Sequence, residues 1–408
     1  MLQNAAFDTN TGTESDVFIS DSHLPQLLPT TAYCSDEFQA REVEQLFKPA
    51  WHLLGTRQEL PGDGDFITAD ILGTPVIAWN RGGEIKAFLN ICPHRFAKLC
   101  RQTCGHAGDR LVCQYHGWEF ADDGNTKRIP DARSFRPLKQ GELGLRPLLC
   151  ETVGGYVFVN LNETAQPLRE WLGPISDVLE ERTGEDASFC FTRDWEIEAN
   201  WKVTVENSLE SYHVTMVHAD TFGHSPEADV CFHEFCDAWH WFETITPYEP
   251  ASLKSRIRRR IKAFIGQGEV GRYRQWLRHP NLEIVEAGPV TIVTSVMPIS
   301  PGRCSRRLRM FCNTGSRNSI ARRMTGKLTD RFYSRLIDRV QDEDGAVLPS
   351  VQRGLASPLQ PLGAGLISIR EERLFHFQQA ILNAVEPEAE SPVGSSSAAE
   401  SKLPAKAA

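Results

Sequence analysis

Two Cys-and-His pairs carry the strongest chemical signal in the chain. Cys92 and His94 form a C-x-H pair, and a C-x-x-H pair, Cys113 and His116, begins after a gap of 18 residues. Each pair lies on a predicted loop between strands, so together they offer two thiolates and two imidazoles. Such a set suits a [2Fe–2S] cluster with two Cys on one iron and two His on the other. A tetrahedral zinc ion accepts the same ligand types, although zinc fingers usually place both Cys before both His.

A second group of candidate ligands lies further along the chain. His213 and His218 stand five positions apart and follow Asn207 and Glu210. Two neutral His and one carboxylate form the facial triad of non-haem Fe(II) oxygenases. Residues five apart on a regular helix point in different directions, so these His share a metal only if the helix bends or ends between them. By itself H-x4-H is a weak signal, and surface or core His is the alternative.

The carboxylate for such a triad must come from a distant segment. Residues 339–355 read RVQDEDGAVLPSVQRGL, with three consecutive acids, Asp342, Glu343 and Asp344. A run of this kind is usually the solvated face of a helix. Pro349 within the segment would remove a helical hydrogen bond and kink the helix.

Taken together, these segments resemble the Rieske non-haem iron oxygenases. The resemblance extends over Arg95 after the first His, Gly117-Trp118 after the second, and N-W-K-x-x-x-E-N-x-x-E-x-Y-H-x-x-x-x-H over residues 200–218. It also covers an Asp before the V-Q-R-G-L element of residues 351–355. The residues that this resemblance implies as ligands are Cys92, His94, Cys113 and His116 for a [2Fe–2S] cluster and His213, His218 and Asp344 for a mononuclear iron. Asp342 is the alternative to Asp344.

The resemblance also assigns catalytic roles to Glu210 and Asn207. In this family an acid at the place of Glu210, usually Asp and sometimes Glu, lies between the two redox centres. A carboxylate there can accept hydrogen bonds from a cluster His and an iron His and so orient both. The alternative for Glu210 is a solvated helix face. Cys100 and Cys104, between the two cluster loops, are interpreted as structural or incidental.

The implied activity is O₂-dependent oxidation of an organic substrate at Fe(II), with electrons passing through the cluster. A separate NAD(P)H-dependent reductase of the flavin or ferredoxin type would supply them, because no G-x-G-x-x-G follows a predicted strand. The resemblance implies a homotrimer in which the cluster of one subunit serves the iron of its neighbour. A different class remains as the alternative, an electron-transfer Rieske protein without a catalytic iron.

The substrate is indicated by two further segments. Residues 338–357 and Phe375-His376-Phe377 are most similar to the choline, glycine-betaine and carnitine monooxygenase branch, which oxidises a C–H next to a quaternary nitrogen. An aromatic cage would bind such a cation. The candidates for this cage are Trp239, Trp241, Phe242 and Tyr248, although the alternation of the two Trp is more typical of core packing. Aromatic ring hydroxylation and demethylation are the alternative activities.

The elements that must position these residues change in character near residue 160. Short strands and Gly- or Pro-containing turns come before it, and mixed helical and strand patterns follow. The sequence therefore predicts an α+β fold, with an N-terminal all-β Rieske domain and a mixed α+β catalytic domain built on an antiparallel sheet with helices. The predicted segments are a flexible arm 1–30, a helix 31–50 with Ser35 as N-cap, a Rieske domain 51–160, a catalytic domain 161–385 and a disordered tail 386–408.

Composition excludes several classes. The formal net charge of −9 is unsuited to general nucleic-acid binding. No stretch approaches the roughly 20 apolar residues of a membrane span, and from the polar first 20 residues we expect no secretory signal. Eleven cysteines without regular spacing indicate reduced thiols and a cytoplasmic location. A basic stretch from Lys254 to Lys262, with Arg272, Arg274 and Arg278 beyond it, either docks an acidic reductase or is a solvated helix.

Overall fold

The computed structural model describes residues 20–139, 141–184, 187–245, 272–312, 320–361 and 365–386. Most of the predicted arm (1–19) and of the predicted tail (387–408) lies outside these residues, as do Tyr248 and the basic stretch 254–262. All eleven cysteines are described, and none forms a disulfide.

The N-terminal half is built on antiparallel strands. One seven-stranded sheet has the order β2-β11-β10-β5-β4-β3-β6, and a small sheet has the order β7-β8-β9. The strands are β2 (His52–Thr56), β3 (Asp65–Ile71), β4 (Thr74–Arg81), β5 (Glu84–Leu89), β6 (Cys104–His106), β7 (Leu111–Val112), β8 (Glu119–Phe120), β9 (Thr126–Arg128), β10 (Pro147–Val153) and β11 (Tyr156–Asn160).

Alternation along β4 explains how this half holds the cluster loops. Successive strand residues point to opposite faces, and here both faces are buried. Ile77 and Trp79 pack on the side that also carries Cys92 and Cys113. Val76 and Ala78 pack on the other side. The central strand is therefore held on both faces, and one face supports both predicted cluster loops.

The C-terminal half contains a second seven-stranded antiparallel sheet, with the order β12-β18-β17-β16-β15-β14-β13. Its strands are β12 (Ser188–Ile197), β13 (Cys231–Phe235), β14 (Trp239–Ile245), β15 (Arg272–Arg278), β16 (Leu282–Ala287), β17 (Val290–Ser300) and β18 (Arg303–Cys312). The helices are α2 (Leu168–Leu172), α3 (Ile175–Thr183), α4 (Trp201–Leu209), α5 (Val214–Val217), α6 (Ile320–Leu355) and α7 (Glu372–Val385). This arrangement confirms the predicted α+β fold class. Helix α6 continues through Pro349 as one element.

The N-terminal helix belongs to the core of the C-terminal half. Helix α1 (Asp36–Glu42) begins at Ser35, whose side chain accepts a hydrogen bond from the Phe38 amide, as an N-cap should. One π-helical turn, Val43–Phe47, continues it. Phe47 lies edge-on to Trp201 of α4 with ring centroids 4.9 Å apart, in a cluster that includes residues of α7. The segment that precedes β2 in sequence therefore packs against α4 and α7 of the C-terminal half.

The prediction of a loosely held arm is wrong for residues 24–30. Strand β1 (Leu24–Pro25) pairs with β19 (Leu366–Ile367), and the Leu28 side chain is buried. The Leu27 amide donates to the Gln378 side chain at 2.8 Å. The cause is pairing with a segment some 340 positions away, which local composition does not indicate. Within the described residues, no helix has the length and apolar character that crossing a membrane requires.

Candidate metal centres

The two cluster loops have the same backbone geometry. In each loop the cysteine carbonyl accepts a hydrogen bond from the amide four positions later, and the cysteine amide donates to the carbonyl five positions later, at 2.8–3.0 Å. The residue four positions after the cysteine has a left-handed backbone in both, with φ of +57° at Phe96 and +70° at Gly117. The loops around Cys92 and Cys113 therefore form a matched pair despite their different Cys-to-His spacing.

The side chains of these loops converge. The ring centroids of His94 and His116 are 4.5 Å apart, and His94 stacks on Trp118 at 5.0 Å. Cys92 and Cys113 are each at most 2% exposed. Burial, together with the neighbouring Cys113 thiol, raises the pKa of Cys92 to about 11. A thiol in such surroundings becomes a thiolate when a metal supplies the compensating positive charge, so these residues fit a metal centre.

A two-iron cluster fits these four residues better than a single zinc ion. Among the described residues, three metal-binding side chains have donor atoms that all lie within 4.8 Å of one another, namely His213, His218 and Asp344. The Cys and His side chains of the two cluster loops, which the structure also describes, do not form such a close group. The ligands of one tetrahedral ion would have to be that close, whereas the ligands of a cluster are spread over two irons. The Nδ1 atom of His94 is buried and has no hydrogen-bond partner, as a ligand atom would.

The two predicted iron histidines flank a one-turn helix. Helix α4 ends at Leu209, and the short α5 then has His213 at its N-cap and His218 at its C-cap. Because His213 and His218 are the two caps of α5 and do not lie within one regular helix, both side chains can face the same metal. The two rings have centroids 5.1 Å apart, and His218 is buried.

Asp344 comes to this pair from α6. Its Oδ1 atom lies 3.0 Å from Nε2 of His218 and 3.8 Å from Nε2 of His213. Oδ1 is buried and has no partner in hydrogen-bond geometry. An orphaned carboxylate oxygen facing two imidazole nitrogens is the donor set of a facial triad, so these residues fit a divalent iron. Asp342, the alternative, is exposed to solvent.

Each histidine is oriented by a second carboxylate. Glu210 accepts a hydrogen bond from Nδ1 of His213 and another from the His213 amide at 3.1 Å. Glu343 accepts one from Nδ1 of His218 at 2.6 Å. With both Nδ1 atoms protonated, both Nε2 atoms carry the lone pair that a metal needs.

Glu343 holds a candidate ligand in place, and the sequence motifs do not predict this role. Of the three consecutive acids, the motifs single out Asp344 and Asp342 as candidate ligands, although a metal-binding His generally needs a partner for its second nitrogen. Thr221 donates a hydrogen bond to the Glu343 carboxylate at 2.7 Å. Arg339, one helical turn before Glu343, donates another to it at 2.9 Å. The i, i+4 spacing of Arg339 and Glu343 was the available signal that this acid is held in place.

Electrostatics at the site favour positive charge. Burial alone would lower the pKa of His218, but Asp344 and Glu343 outweigh it and the pKa is raised. Burial opposes ionisation of Asp344, yet the neighbouring His218 and Asn207 side chains hold its pKa below the usual value. The pKa of Glu343 is lowered to about 2 against the effect of burial, first by His218. The two acids that stabilise a proton on His218 would equally stabilise a metal cation in the place of that proton.

Two family descriptions match the chain. Residues 50–142 match the Rieske [2Fe–2S] domain, and residues 181–386 match the catalytic domain of the ring-hydroxylating α-subunit. The chain belongs to the ring-hydroxylating oxygenase α-subunit family. These are the domains that carry a Rieske cluster and a mononuclear iron, as the sequence motifs predicted.

Individual relatives are more distant. The glycine betaine monooxygenase oxygenase subunit of Pseudomonas aeruginosa is 30% identical over 47% of this chain and 45% of its own length, so the match spans less than half of that relative. The chloroplastic choline monooxygenase of Spinacia oleracea is 27% identical over 88% of this chain and 77% of its own.

Solved structures show the same fold. A quaternary ammonium Rieske monooxygenase has a TM-score of 0.71 at 22% identity, covering 88% of this chain and 95% of that one. Naphthalene 1,2-dioxygenase from Rhodococcus sp. has a TM-score of 0.66 at 19% identity, covering 90% and 95%.

The predicted aromatic cage does not form as one group. Trp239 and Trp241 share one face of β14 and lie near Trp276, whereas Phe242 points to the other face. The Phe242 ring is buried, and Cζ of the Arg373 guanidinium lies 4.9 Å from the ring centroid. Strand alternation thus separates these candidates, and Tyr248 lies outside the described residues.

The described arginines beyond the basic stretch are engaged within the fold. Arg272 and Arg274 both form ion pairs with Glu243. Arg278 is buried and donates to the carbonyl of Trp171 at 2.5 Å and of Ala238 at 2.7 Å. None of these three is presented as a free docking charge.

Proposed function

We propose that this chain is the oxygenase component of a Rieske non-haem iron system that oxidises a quaternary ammonium compound. The observation that carries the proposal is the convergence of His213, His218 and Asp344, with each His tied to its own carboxylate. When bound there, a ferrous ion with open positions supplies O₂ binding and reduction. The protein's part is to keep both Nδ1 atoms protonated and both Nε2 atoms aimed at one point.

The substrate class rests on the names of the relatives, which include glycine betaine, choline and carnitine monooxygenases. A second candidate is hydroxylation of an aromatic ring. It is favoured by 31% identity to the anthranilate 1,2-dioxygenase large subunit of Burkholderia cepacia over 49% of this chain. Oxygen uptake with a surrogate reductase, comparing quaternary amines with aromatic acids, distinguishes the two.

Iron analysis tests the class of protein. An oxygenase should contain about three irons per chain, two in the cluster and one at the triad, whereas an electron-transfer Rieske protein should contain about two. Asp344→Ala should lose the single iron and keep the cluster's EPR signal. Asp342→Ala, at the exposed neighbour, is the matched control. Retention of three irons by the Asp344 variant would refute the ligand assignment.

The partners belong to the same proposal. A flavin- or ferredoxin-type reductase would deliver electrons from NAD(P)H to the cluster of a cytoplasmic homotrimer. Glu210, already bonded to His213, would also accept a hydrogen bond from a cluster His of the neighbouring subunit. Glu210→Ala should retain its metals but show little coupled turnover. Near-normal turnover in that variant would contradict the bridging role.

A further inference from the structure

Two arginines with unused hydrogen-bond donors lie in the buried layer beside the candidate iron site. Arg373 of α7 is 3% exposed, and its Nε and Nη2 atoms have no hydrogen-bond partner. Arg306 of β18 is mostly buried, and its Nε atom is likewise unpartnered. A buried cation with unused donors is costly unless something negative completes it.

Both arginines belong to one face of the large sheet. Cross-strand pairing places Phe242, Gln275, Glu283 and Arg306 on the same face of β14, β15, β16 and β18. Arg373 reaches this face from α7 and donates through Nη1 to the Gln275 side chain at 2.8 Å. The arginine side chains therefore enter a common layer from the sheet and from the helix that covers it.

This layer adjoins the triad. Arg306 donates to the Gln341 side chain at 3.1 Å, and Gln341 lies one helical turn before Asp344 on the same buried side of α6. Gln275, which holds Arg373, donates at 3.0 Å to the carbonyl of Ser208, two positions before Glu210. Gln341 thus connects Arg306 to α6, and Gln275 connects Arg373 to the end of α4. Both helices border the candidate iron site.

The acids near the two arginines are Glu283 and Asp344, and Asp344 belongs to the candidate iron triad. The Oε2 atom of Glu283 lies 4.0 Å from Nη2 of Arg306, at the limit of an ion pair. Glu283 also accepts a hydrogen bond from Ser208. Burial raises the pKa of Glu283, although Arg306 acts in the opposite direction. Among the described residues, no ion pair joins Arg373 to an Asp or Glu, and Glu283 acts on it only from a longer distance. The guanidinium of Arg373 therefore has no carboxylate directly paired with it.

We propose that Arg306 and Arg373 bind the carboxylate of the substrate, so that this chain acts on a betaine-type carboxylate rather than on the alcohol choline. The inference deepens the proposed function and rests on it for the position of the substrate beside the iron. Arginine suits this task because its planar fork of donors matches a carboxylate. The sheet-facing layer would then hold the anionic end while the oxidisable carbon faces the triad.

Isothermal titration of the iron-loaded protein, without O₂ or reductase, tests this binding apart from turnover. Glycine betaine and choline share the trimethylammonium group and differ in the carboxylate. Wild type should bind glycine betaine at least about 10-fold more tightly than choline, the size of one charge-assisted hydrogen bond. Arg306→Gln and Arg373→Gln should each remove that preference and leave choline affinity unchanged, and Arg373→Lys should restore part of it.

The matched control is Arg303→Gln, an exposed arginine on the same strand as Arg306 that pairs with Glu196. It should keep the preference, and iron content should verify that every variant is folded. If anthranilate, not glycine betaine, binds in an arginine-dependent way, the carboxylate site stands and the quaternary ammonium proposal fails. If glycine betaine binds equally well in both Gln variants, if choline binds as tightly, or if no carboxylate binds, the inference is wrong.

Discussion

The cluster loops draw all four candidate ligands from 25 residues of chain (92–116), whereas the candidate iron site joins residues 213 and 344, 131 positions apart. The cluster loops repeat one backbone motif, stabilised by hydrogen bonds within each loop. The iron site depends on the packing of a long helix against a one-turn helix, and on two further carboxylates. A substitution in a cluster loop should therefore affect the cluster and leave the iron site intact. The iron site, in contrast, should also respond to substitutions of residues that are not its ligands.

The largest expected effect separates the two regions outright. Cys113→Ser should abolish the cluster, because a hydroxyl replaces one of two soft ligands. Iron should fall from about three to about one per chain, with loss of the cluster's EPR signal. Cys100→Ser, a half-buried thiol packed near the same loop, is the control and should keep the cluster. Loss of the triad iron as well would show that the two regions are not independent.

The pH dependence of stability should come from the catalytic region. Burial raises the pKa of Glu206 to about 7, despite hydrogen bonds from Tyr33 and Gln378 and the charge of Lys202, while Glu42 reinforces the rise. The folded state therefore holds this proton more tightly than the unfolded state. The resulting stability is present below about pH 4.5 and is lost as the pH rises to about 7, on the order of 3 kcal/mol.

Glu206→Gln should remove this slope. Urea unfolding at pH 5 and pH 8 measures it, with the exposed Glu44→Gln as control. An unchanged slope in the Glu206 variant would assign the pH dependence to another group.

Glu343→Gln tests whether the iron site depends on a residue that is not a ligand. The Gln amide oxygen is uncharged and is therefore a weaker hydrogen-bond acceptor for Nδ1–H of His218 than the carboxylate. Iron affinity should fall about 10- to 100-fold, with the cluster unaffected. Competition with a chelator measures this affinity. Asp342→Asn, one position away and exposed, should bind iron like wild type. Equal affinities in the two variants would leave Glu343 without a positioning role.

The smallest effect compares the two cluster loops with each other. Gly117→Ala should cost about 1 kcal/mol, because φ of +70° strains a residue with a Cβ. Phe96 occupies the equivalent position with an exposed side chain, and Phe96→Gly should change stability by less than about 0.5 kcal/mol, since relief of strain offsets added backbone entropy. Thermal unfolding of the two variants gives the comparison. A large loss in the Phe96 variant would mean that its side chain contributes a contact.

Local signals were sufficient for much of the fold. Ser35 caps its helix as predicted, and short strands dominate the chain before residue 160 as predicted, because capping and alternation act over short distances. The packing of residues 24–30 was not foreseen in the same way, because it depends on a partner strand far away in the sequence. Alternation along β14 already separates Phe242 from Trp241, but the burial of Phe242 beneath Arg373 depends on the position of α7.

The sequence by itself indicated the candidate cluster ligands and the His213–His218 pair, because short motifs that resemble those of one family contain them and each motif lies within a short segment of chain. The resemblance favoured Asp344 over Asp342, but only the tertiary structure shows how Asp342, Glu343 and Asp344 differ in orientation and gives Glu343 a contact of its own. Consecutive residues on a helix point about 100° apart. The rotation of α6 against its neighbours therefore turns Asp342 to solvent, Glu343 to Nδ1 of His218, and Asp344 to the Nε2 atoms of both histidines. That rotation is set by packing along the whole helix, which no short motif contains.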